Sequence, residues 1–162
     1  MFRFIKENKL FVFILSILIV LNVLFLFVFE RVHIYGQSME PNYHDGQWGI
    51  SVKCKLATDS IERTDIVIVS NAHTNGEYWI KRVIGLPGET IEAKNDHVYI
   101  NGKPLKEPYL DEFRGATYDF EPITLEEDEY FVMGDNRIAS SDSRSIGPIH
   151  KSDIVAKGIW VI

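Results

Sequence analysis

The sequence of 162 residues has a single cysteine, Cys54, so the chain cannot form an internal disulfide. A domain without disulfides depends on its own hydrophobic core, and a chain of this length is long enough to build one. We interpret Cys54 as a small apolar residue in or near a strand rather than as a nucleophile.

Metal-binding signatures are also missing. None of the histidines forms an i, i+4 pair or stands beside a cysteine pair, so neither a metal site nor a cofactor is predicted. The G-x-S-x-G elbow of many serine hydrolases is absent, although spacing alone does not exclude a Ser–His–Asp triad. The histidines, which we interpret as surface residues, are His33, His44, His73, His97 and His150.

Positive charge is outnumbered by negative charge. The chain has 17 Lys and Arg against 23 Asp and Glu, a net charge of −6. Proteins that bind nucleic acid need a basic face, so nucleic acid is not an expected partner. Residues 111–129 are the most acidic part, with eight carboxylates against one arginine. We interpret them as a solvated surface loop, with partner binding as the alternative.

One long apolar segment stands at residues 10–29. It carries no charge, and only Ser16 and Asn22 are polar. Twenty helical residues rise about 30 Å, which matches the hydrocarbon core of a bilayer. Helices of soluble proteins have a polar stripe, and this segment has none. The pattern therefore predicts a transmembrane helix rather than a buried core helix.

The charges that flank this segment predict its orientation. Arg3, Lys6 and Lys9 precede it, while Glu30 and Arg31 follow and cancel, and positive residues stay on the cytoplasmic side. The run is too long for a cleaved signal peptide, and no small-x-small site follows it. We expect a cytoplasmic N-terminus at 1–9, a single-pass signal anchor in the cell membrane at 10–29, and an extracytoplasmic domain at 32–162.

Beyond residue 32 the sequence has the pattern of short strands. Residues 65–69 are β-branched and predict a buried strand, and Asn101-Gly102 is a strong hairpin signal. No long amphipathic helix is predicted here. The expected fold is mainly β: a transmembrane helix followed by an all-β, short-stranded, barrel-like domain. Its predicted strands cover 46–52, 65–69, 78–84, 90–93, 98–100, 130–133 and 154–162.

Three segments carry candidate chemistry. Residues 36–41 place Ser38 in a turn between a glycine and a proline, which can expose a hydroxyl and a backbone N–H together. Lys81 alternates with Trp79 and Val83 in an apolar strand, where burial would lower its pKa and make it a usable base. Residues 134–147 open with a polar stretch that can hydrogen-bond itself into a rigid loop. Each segment alone is more typical of a structural role.

Together, in this order and behind an apolar anchor, the three segments resemble the type I signal peptidases, serine proteases that remove signal peptides from exported proteins. The resemblance rests on Ser-Met-x-Pro at 38–41, Lys-Arg-Val-Ile-Gly-Leu-Pro-Gly-Glu at 81–89, and Gly-Asp-Asn-Arg…Ser-x-Asp-Ser-Arg…Gly at 134–147. It covers 35–147 and the anchor. The small size and Gly36 are similar to Gram-positive bacterial members.

The resemblance implies that Ser38 is the nucleophile and Lys81 its general base. It further implies a hydroxyl that orients the lysine, a supporting ion pair and a bracing carboxylate, which are Ser140, Asp142 with Arg144, and Asp135. The implied partners are preprotein signal peptides, membrane lipid and the secretion machinery. The implied substrate is an extended strand with small side chains at the first and third positions before the cut.

Three positions depart from the family pattern. Asn42 follows the Ser-Met-x-Pro box where a threonine is usual, and Thr64 stands where Arg-Gly-Asp has its glycine. Gly36 replaces a serine that in some members donates its hydroxyl to the oxyanion. The oxyanion hole is therefore expected to depend mainly on the backbone N–H of Ser38, in the Gly36 region.

Alternatives to a general signal peptidase remain open at this stage. The same boxes would suit a peptidase or assembly factor dedicated to one surface structure, such as a pilus. A third possibility is a non-enzymatic, membrane-anchored binding protein on the same fold. Such a protein would not need Ser38 or Lys81, and both are present. Self-cleaving repressors use a related Ser–Lys fold, but they are soluble and carry a DNA-binding domain.

Overall fold

The apolar segment forms one long helix that passes directly into a β-strand. The computed structural model describes residues 8–53, 61–70, 72–74, 77–111, 113, 115 and 117–162, so Cys54 and most of the predicted cytoplasmic N-terminus lie outside the described residues. Helix α1 (Lys9–Val28) packs no buried residue against the rest of the chain, and it is long and apolar enough to cross a membrane. Strand β1 (Phe29–His33) follows without a loop.

The junction between α1 and β1 is held by contacts to the helix end. The Phe29 N–H donates to the Phe25 carbonyl, and the two rings lie 4.7 Å apart. Lys53 Nζ donates to the Leu26 carbonyl at 3.0 Å. These bonds satisfy carbonyls that a helix C-terminus leaves without partners. Phe29, the last residue of the predicted anchor, is the first residue of β1.

A seven-stranded antiparallel sheet forms most of the remaining chain. Its order is β1-β2-β11-β3-β4-β9-β10. All four residues of β3 are buried, because Ile66 and Ile68 pack into one core cluster while Val67 and Val69 pack into another on the opposite face. The further strands are β2 (Trp48–Lys53), β3 (Ile66–Val69), β4 (Trp79–Gly85), β9 (Glu129–Met133), β10 (Ile149–His150) and β11 (Ile154–Val161).

A second, four-stranded sheet has the order β7-β6-β5-β8. It comprises β5 (Thr90–Lys94), β6 (His97–Ile100), β7 (Lys103–Pro104) and β8 (Phe120–Thr124). The predicted hairpin between β6 and β7 is present, and Asn101 and Gly102 have φ values of 50° and 74°. Both central residues of such a turn need positive φ. The turn between β5 and β6 is built the same way on Asn95 and Asp96.

The structure confirms the mainly β class and all seven predicted strands, with shifts of one or two residues at their ends. Helices after residue 32 are short within the described residues: α2 (Ser143–Ile146) and 3₁₀ turns at Ala72–Thr74, Arg137–Ala139 and Lys151–Asp153. The sheets do not close into a barrel in the described part of the chain, since β1 and β10 end the larger sheet without pairing with each other. Residues of β1 line a cleft.

The interpretation of residues 111–129 as a surface loop was wrong in part, because β8 lies inside them. Phe120 and Ile123 pack against the core of the smaller sheet, and the Phe120 ring stacks 5.4 Å from that of Phe131. The acidic side chains hid this strand, since Glu121 and Pro122 are exposed between the two apolar anchors. Proline is tolerated at such an edge position.

Thr64 has a left-handed backbone, with φ of 74°, and an exposed side chain. A β-branched residue with this backbone conformation destabilises the folded state by about 1–2 kcal/mol. Glycine removes this strain, but its greater flexibility in the unfolded state offsets roughly 0.5–1 kcal/mol of the gain. We expect Thr64→Gly to raise the free energy of unfolding by about 0.5–1 kcal/mol in detergent, measured by urea unfolding. Thr124→Gly, in an extended strand, should lower it. A loss of stability in Thr64→Gly would contradict this account.

Candidate active site

A cleft of about 720 Å³ separates β1 and the chain that follows it from the start of β4. Residues 30–39 and 77–81 provide most of the lining, and Ile68, Ala139 and Ser141 provide the rest. Both Ser38 and Lys81 line this cleft. The structure thus brings together two side chains that are 43 residues apart in the sequence.

Ser38 and Lys81 are in direct contact, with 3.1 Å between Lys81 Nζ and Ser38 Oγ. Ser38 is half-buried, while Lys81 is 4% exposed. Burial lowers the pKa of Lys81 to about 8, because desolvation disfavours the ammonium form; the Asp142 carboxylate opposes this shift and the Arg144 guanidinium adds to it. The Nζ also lies 5.6 Å from the centre of the Trp79 ring. A lysine in this state can accept a proton from the hydroxyl beside it.

The Ser38 backbone is fixed by the loop that follows β9. The Asn136 N–H donates to the Ser38 carbonyl at 3.0 Å, and Asn136 Nδ2 donates to the Gln37 carbonyl at 3.0 Å. Gly134 leaves no room for a side chain, because a Cβ there would lie 2.5 Å from the Ser38 carbonyl oxygen and 2.3 Å from Ser140 Oγ. This glycine allows the nucleophile segment and the Ser140 loop to meet.

The backbone N–H of Ser38 makes no hydrogen bond within the described residues. The N–H of Gly36 donates to Asp45 Oδ1 at 2.8 Å, and Gly36 has φ of 82°. Gly36 therefore shapes the turn but has no free donor. The Ser38 N–H remains as the backbone donor beside the hydroxyl.

The loop residues predicted to support the lysine lie around Asp142. Asp142 forms an ion pair with Arg144, with 2.8 Å between Oδ1 and Nε and 2.8 Å between Oδ2 and Nη2. Asp142 Oδ2 also accepts from the Gly134 N–H at 2.9 Å. Burial alone would raise the pKa of Asp142, but the Arg144 hydrogen bond and charge, aided by Gly134 and Ser140, lower it. Ser140, whose hydroxyl was predicted to orient Lys81, also donates from Oγ to the Ser141 carbonyl at 3.5 Å. The hydrogen-bond partner of Lys81 is Ser38.

Asp135 is fully buried and forms a two-bond ion pair with Arg82, at 2.7 and 2.6 Å. Arg82 Nη1 also donates to the Thr64 carbonyl at 2.9 Å. Asn42, at a position where the sequence departs from the family pattern, donates from Nδ2 to Asp135 Oδ2 at 2.9 Å and to the Tyr109 carbonyl at 2.8 Å. The asparagine thus links the turn after the nucleophile to the Arg82–Asp135 pair.

Comparison with protein families identifies the family of the chain. The family described as "Signal peptidase, peptidase S26" matches residues 7–162. The chain belongs to this family. Among the described residues, no group of three His, Cys, Asp or Glu side chains is placed to hold a metal ion.

Individual relatives agree with the family. A signal peptidase I of Bacillus licheniformis is 40% identical over 96% of this chain and 90% of its own length. Signal peptidase I T of Bacillus subtilis is 40% identical over 83% of this chain and 74% of its own length. A crystal structure of a signal peptidase I from Enterococcus faecalis matches with a TM-score of 0.52 and 36% identity, over 59% of this chain and 94% of that chain.

These relatives confirm the Gram-positive type I signal peptidase that the sequence resembles. The protein is a membrane-associated serine peptidase that removes signal peptides from preproteins. The relatives named here are all signal peptidases I, and none favours a pilus-specific role.

Several residues at the site were missed in the sequence. Arg82 stood inside the quoted box at 81–89 without a role, although a buried arginine requires a carboxylate partner, which was a usable signal. Asn136 stood inside a quoted box without a role, and Gly134 carried no sign of its close contact with Ser38. Their roles depend on contacts between distant segments, from 53 residues apart for Arg82 and Asp135 to 99 for Asn136 and Gln37.

Proposed function

We propose that Ser38 is the nucleophile and Lys81 the general base of this signal peptidase. The observation that carries the proposal is the contact of 3.1 Å between Lys81 Nζ and Ser38 Oγ, made by a buried lysine whose pKa is lowered to about 8. In the structure Lys81 Nζ donates to Ser38 Oγ, and the neutral amine can accept the hydroxyl proton over the same distance. No other pair of groups is needed to activate the serine.

The reaction then has two halves. Ser38 Oγ attacks the scissile carbonyl while its proton passes to Lys81, and the Ser38 N–H binds the resulting oxyanion. The intermediate collapses with cleavage of the C–N bond, and the Lys81 ammonium gives its proton to the leaving amine. Water, deprotonated by Lys81, next attacks the acyl-enzyme. Cleavage of the ester bond releases the carboxylate of the signal peptide, and the Lys81 ammonium returns its proton to Ser38 Oγ.

The supporting loop holds the lysine in this role. In the proposal, Ser140 orients Lys81, while the Asp142–Arg144 pair, which lies beside the lysine, keeps the loop rigid. Asp135 braces the same region through Arg82 and Asn42. The substrate lies extended in the cleft along β1, which among the described residues has no partner strand on its outer edge, and small side chains precede the cut.

We also propose a single-pass topology with a cytoplasmic N-terminus and an extracytoplasmic domain at 32–162, beside membrane lipid and the secretion machinery. Eight residues separate Phe29 from Ser38, and they reach at most about 30 Å. The site is thus tethered near the surface where the apolar core of a signal peptide ends.

A protease added outside spheroplasts should digest 32–162 and spare an epitope tag at the N-terminus. Digestion of the tag alone would contradict this topology.

The pH dependence of cleavage tests the base. Only the neutral amine of Lys81 accepts a proton, so kcat/KM should rise about tenfold per pH unit below pH 8 and level off above it. The measurement is cleavage of a preprotein in lipid vesicles between pH 6 and pH 10. A profile that levels off near pH 6.5, where a histidine titrates, would overturn Lys81 as the base.

A further inference from the structure

The peptide bond between Gln37 and Ser38 contains both the carbonyl of Gln37 and the N–H of Ser38. This bond is trans, since within the described residues the cis bond is that between Glu40 and Pro41. In a planar trans peptide the C=O and N–H groups point in opposite directions. Whatever holds the Gln37 carbonyl therefore also sets the direction of the Ser38 N–H.

Asn136 holds that carbonyl. Its Nδ2 donates to the Gln37 oxygen at 3.0 Å, and its own N–H donates to the Ser38 carbonyl at 3.0 Å. Two consecutive peptide units of the nucleophile segment are thus bound by one residue. Asn136 is 4% exposed, so water competes little for these bonds.

The position of Asn136 is itself fixed from both sides. Asp135 before it is locked by the two bonds to Arg82. Arg137 after it donates from Nε to the Gly134 carbonyl at 3.0 Å and pairs with Glu107. An amide held in this way can impose an orientation on a more exposed partner, and Gln37 is exposed.

We propose that Asn136 is the positioning residue of the oxyanion hole: by binding the Gln37 carbonyl, its amide directs the Ser38 N–H into the cleft. The hydrogen bond also polarises the Gln37–Ser38 peptide and makes its N–H a stronger donor. This matters here because Gly36 has no hydroxyl and its N–H is bound to Asp45. The inference rests on the proposed assignment of Ser38 as nucleophile.

The test replaces the Asn136 side chain while keeping its backbone N–H. Asn136→Leu has nearly the same shape, lacks the Nδ2 donor and removes an Oδ1 that is buried without a partner among the described residues. We expect kcat for preprotein cleavage to fall about 10- to 100-fold, less than the 10²–10³-fold that loss of an oxyanion donor costs. The KM should change less than about threefold, because the ground state does not use this donor.

A peptide boronic acid ending in boroalanine gives a second readout. Ser38 Oγ forms a bond to boron, its proton passes to Lys81, and the tetrahedral boronate presents an oxygen to the Ser38 N–H. Asn136→Leu should weaken inhibition by about the same factor as kcat. Ser51→Ala is the control: it removes the hydrogen bond of another buried side chain, to the Lys157 carbonyl, outside the cleft, and kcat and boronate affinity should not fall together in it.

Two outcomes would overturn the inference. One is an Asn136→Leu enzyme that keeps kcat and boronate affinity within twofold of wild type. The other is a loss in which KM rises and the boronate constant does not move, since that is the result of a loosened loop. If Asn136→Leu does not fold, as judged by thermal unfolding, Asn136→Ala is assessed in the same way. The proposed mechanism fails separately, if Ser38→Ala retains cleavage.

Discussion

Ser38→Ala should abolish cleavage of a preprotein in lipid vesicles, with a loss of about 10⁴-fold or more. The expectation follows from geometry, because Ser38 Oγ is the oxygen in contact with the buried amine of Lys81. Alanine removes that oxygen and leaves the Ser38 backbone, with its bond to Asn136, in place. The variant should therefore fold normally and still bind the signal peptide, which co-sedimentation with vesicles would measure.

Ser152→Ala is the matched control, since Ser152 is exposed in a 3₁₀ turn and does not line the cleft. It should cleave at the wild-type rate. Residual cleavage by Ser38→Ala within tenfold of wild type would overturn Ser38 as nucleophile and with it the Ser–Lys mechanism. Loss of both cleavage and binding would indicate damage to the cleft rather than to the chemistry.

The parts of the fold that sequence reasoning found are those encoded in local patterns. The β-branched residues of β3 predicted a strand, and the twenty apolar residues predicted α1. β1 was missed because Phe29 continues the apolar run, and its strand character comes from pairing with β2, where Phe29 faces Val52. Pairing across a sheet is not visible in a window of neighbouring residues.

The candidate site divides in the same way. Ser38, Lys81 and the Asp142–Arg144 pair were predicted from their motifs and from the family resemblance that these motifs carry together. Asn136 was not, since a buried asparagine in a polar loop is ordinary and its meaning comes from the Gln37 carbonyl it binds. Thr64 shows the opposite case: a departure from the motif was visible, but its physical content, a positive φ, needed the backbone.

The lysine that we propose as the general base is also expected to lower the stability of the protein. Lys81 forms no ion pair within the described residues, and its hydrogen-bond partner is a hydroxyl. Its lowered pKa means that the protonated form is disfavoured in the folded state relative to the unfolded state. Function and stability therefore oppose each other at this position, as is common at active sites.

Lys81→Met should abolish cleavage and at the same time stabilise the protein. The pKa falls from 10.5 to about 8, so at pH 7 the buried ammonium costs up to about 3 kcal/mol. This cost is complete below pH 8, where the amine is protonated in both states, and disappears as pH rises to 10.5. Methionine fills similar space without charge, so urea unfolding in detergent should show a gain at pH 7 that shrinks towards pH 10.

Lys103→Met provides the comparison, because Lys103 is exposed in β7 and lies outside the cleft. It should retain cleavage, and its effect on unfolding should not vary between pH 7 and pH 10. If Lys81→Met cleaved preprotein within tenfold of wild type, another group would have to be the base. If Lys81→Met lost activity without gaining stability, burial would not destabilise the ammonium of the wild-type protein. The neutral form of Lys81 at working pH would then need a different cause.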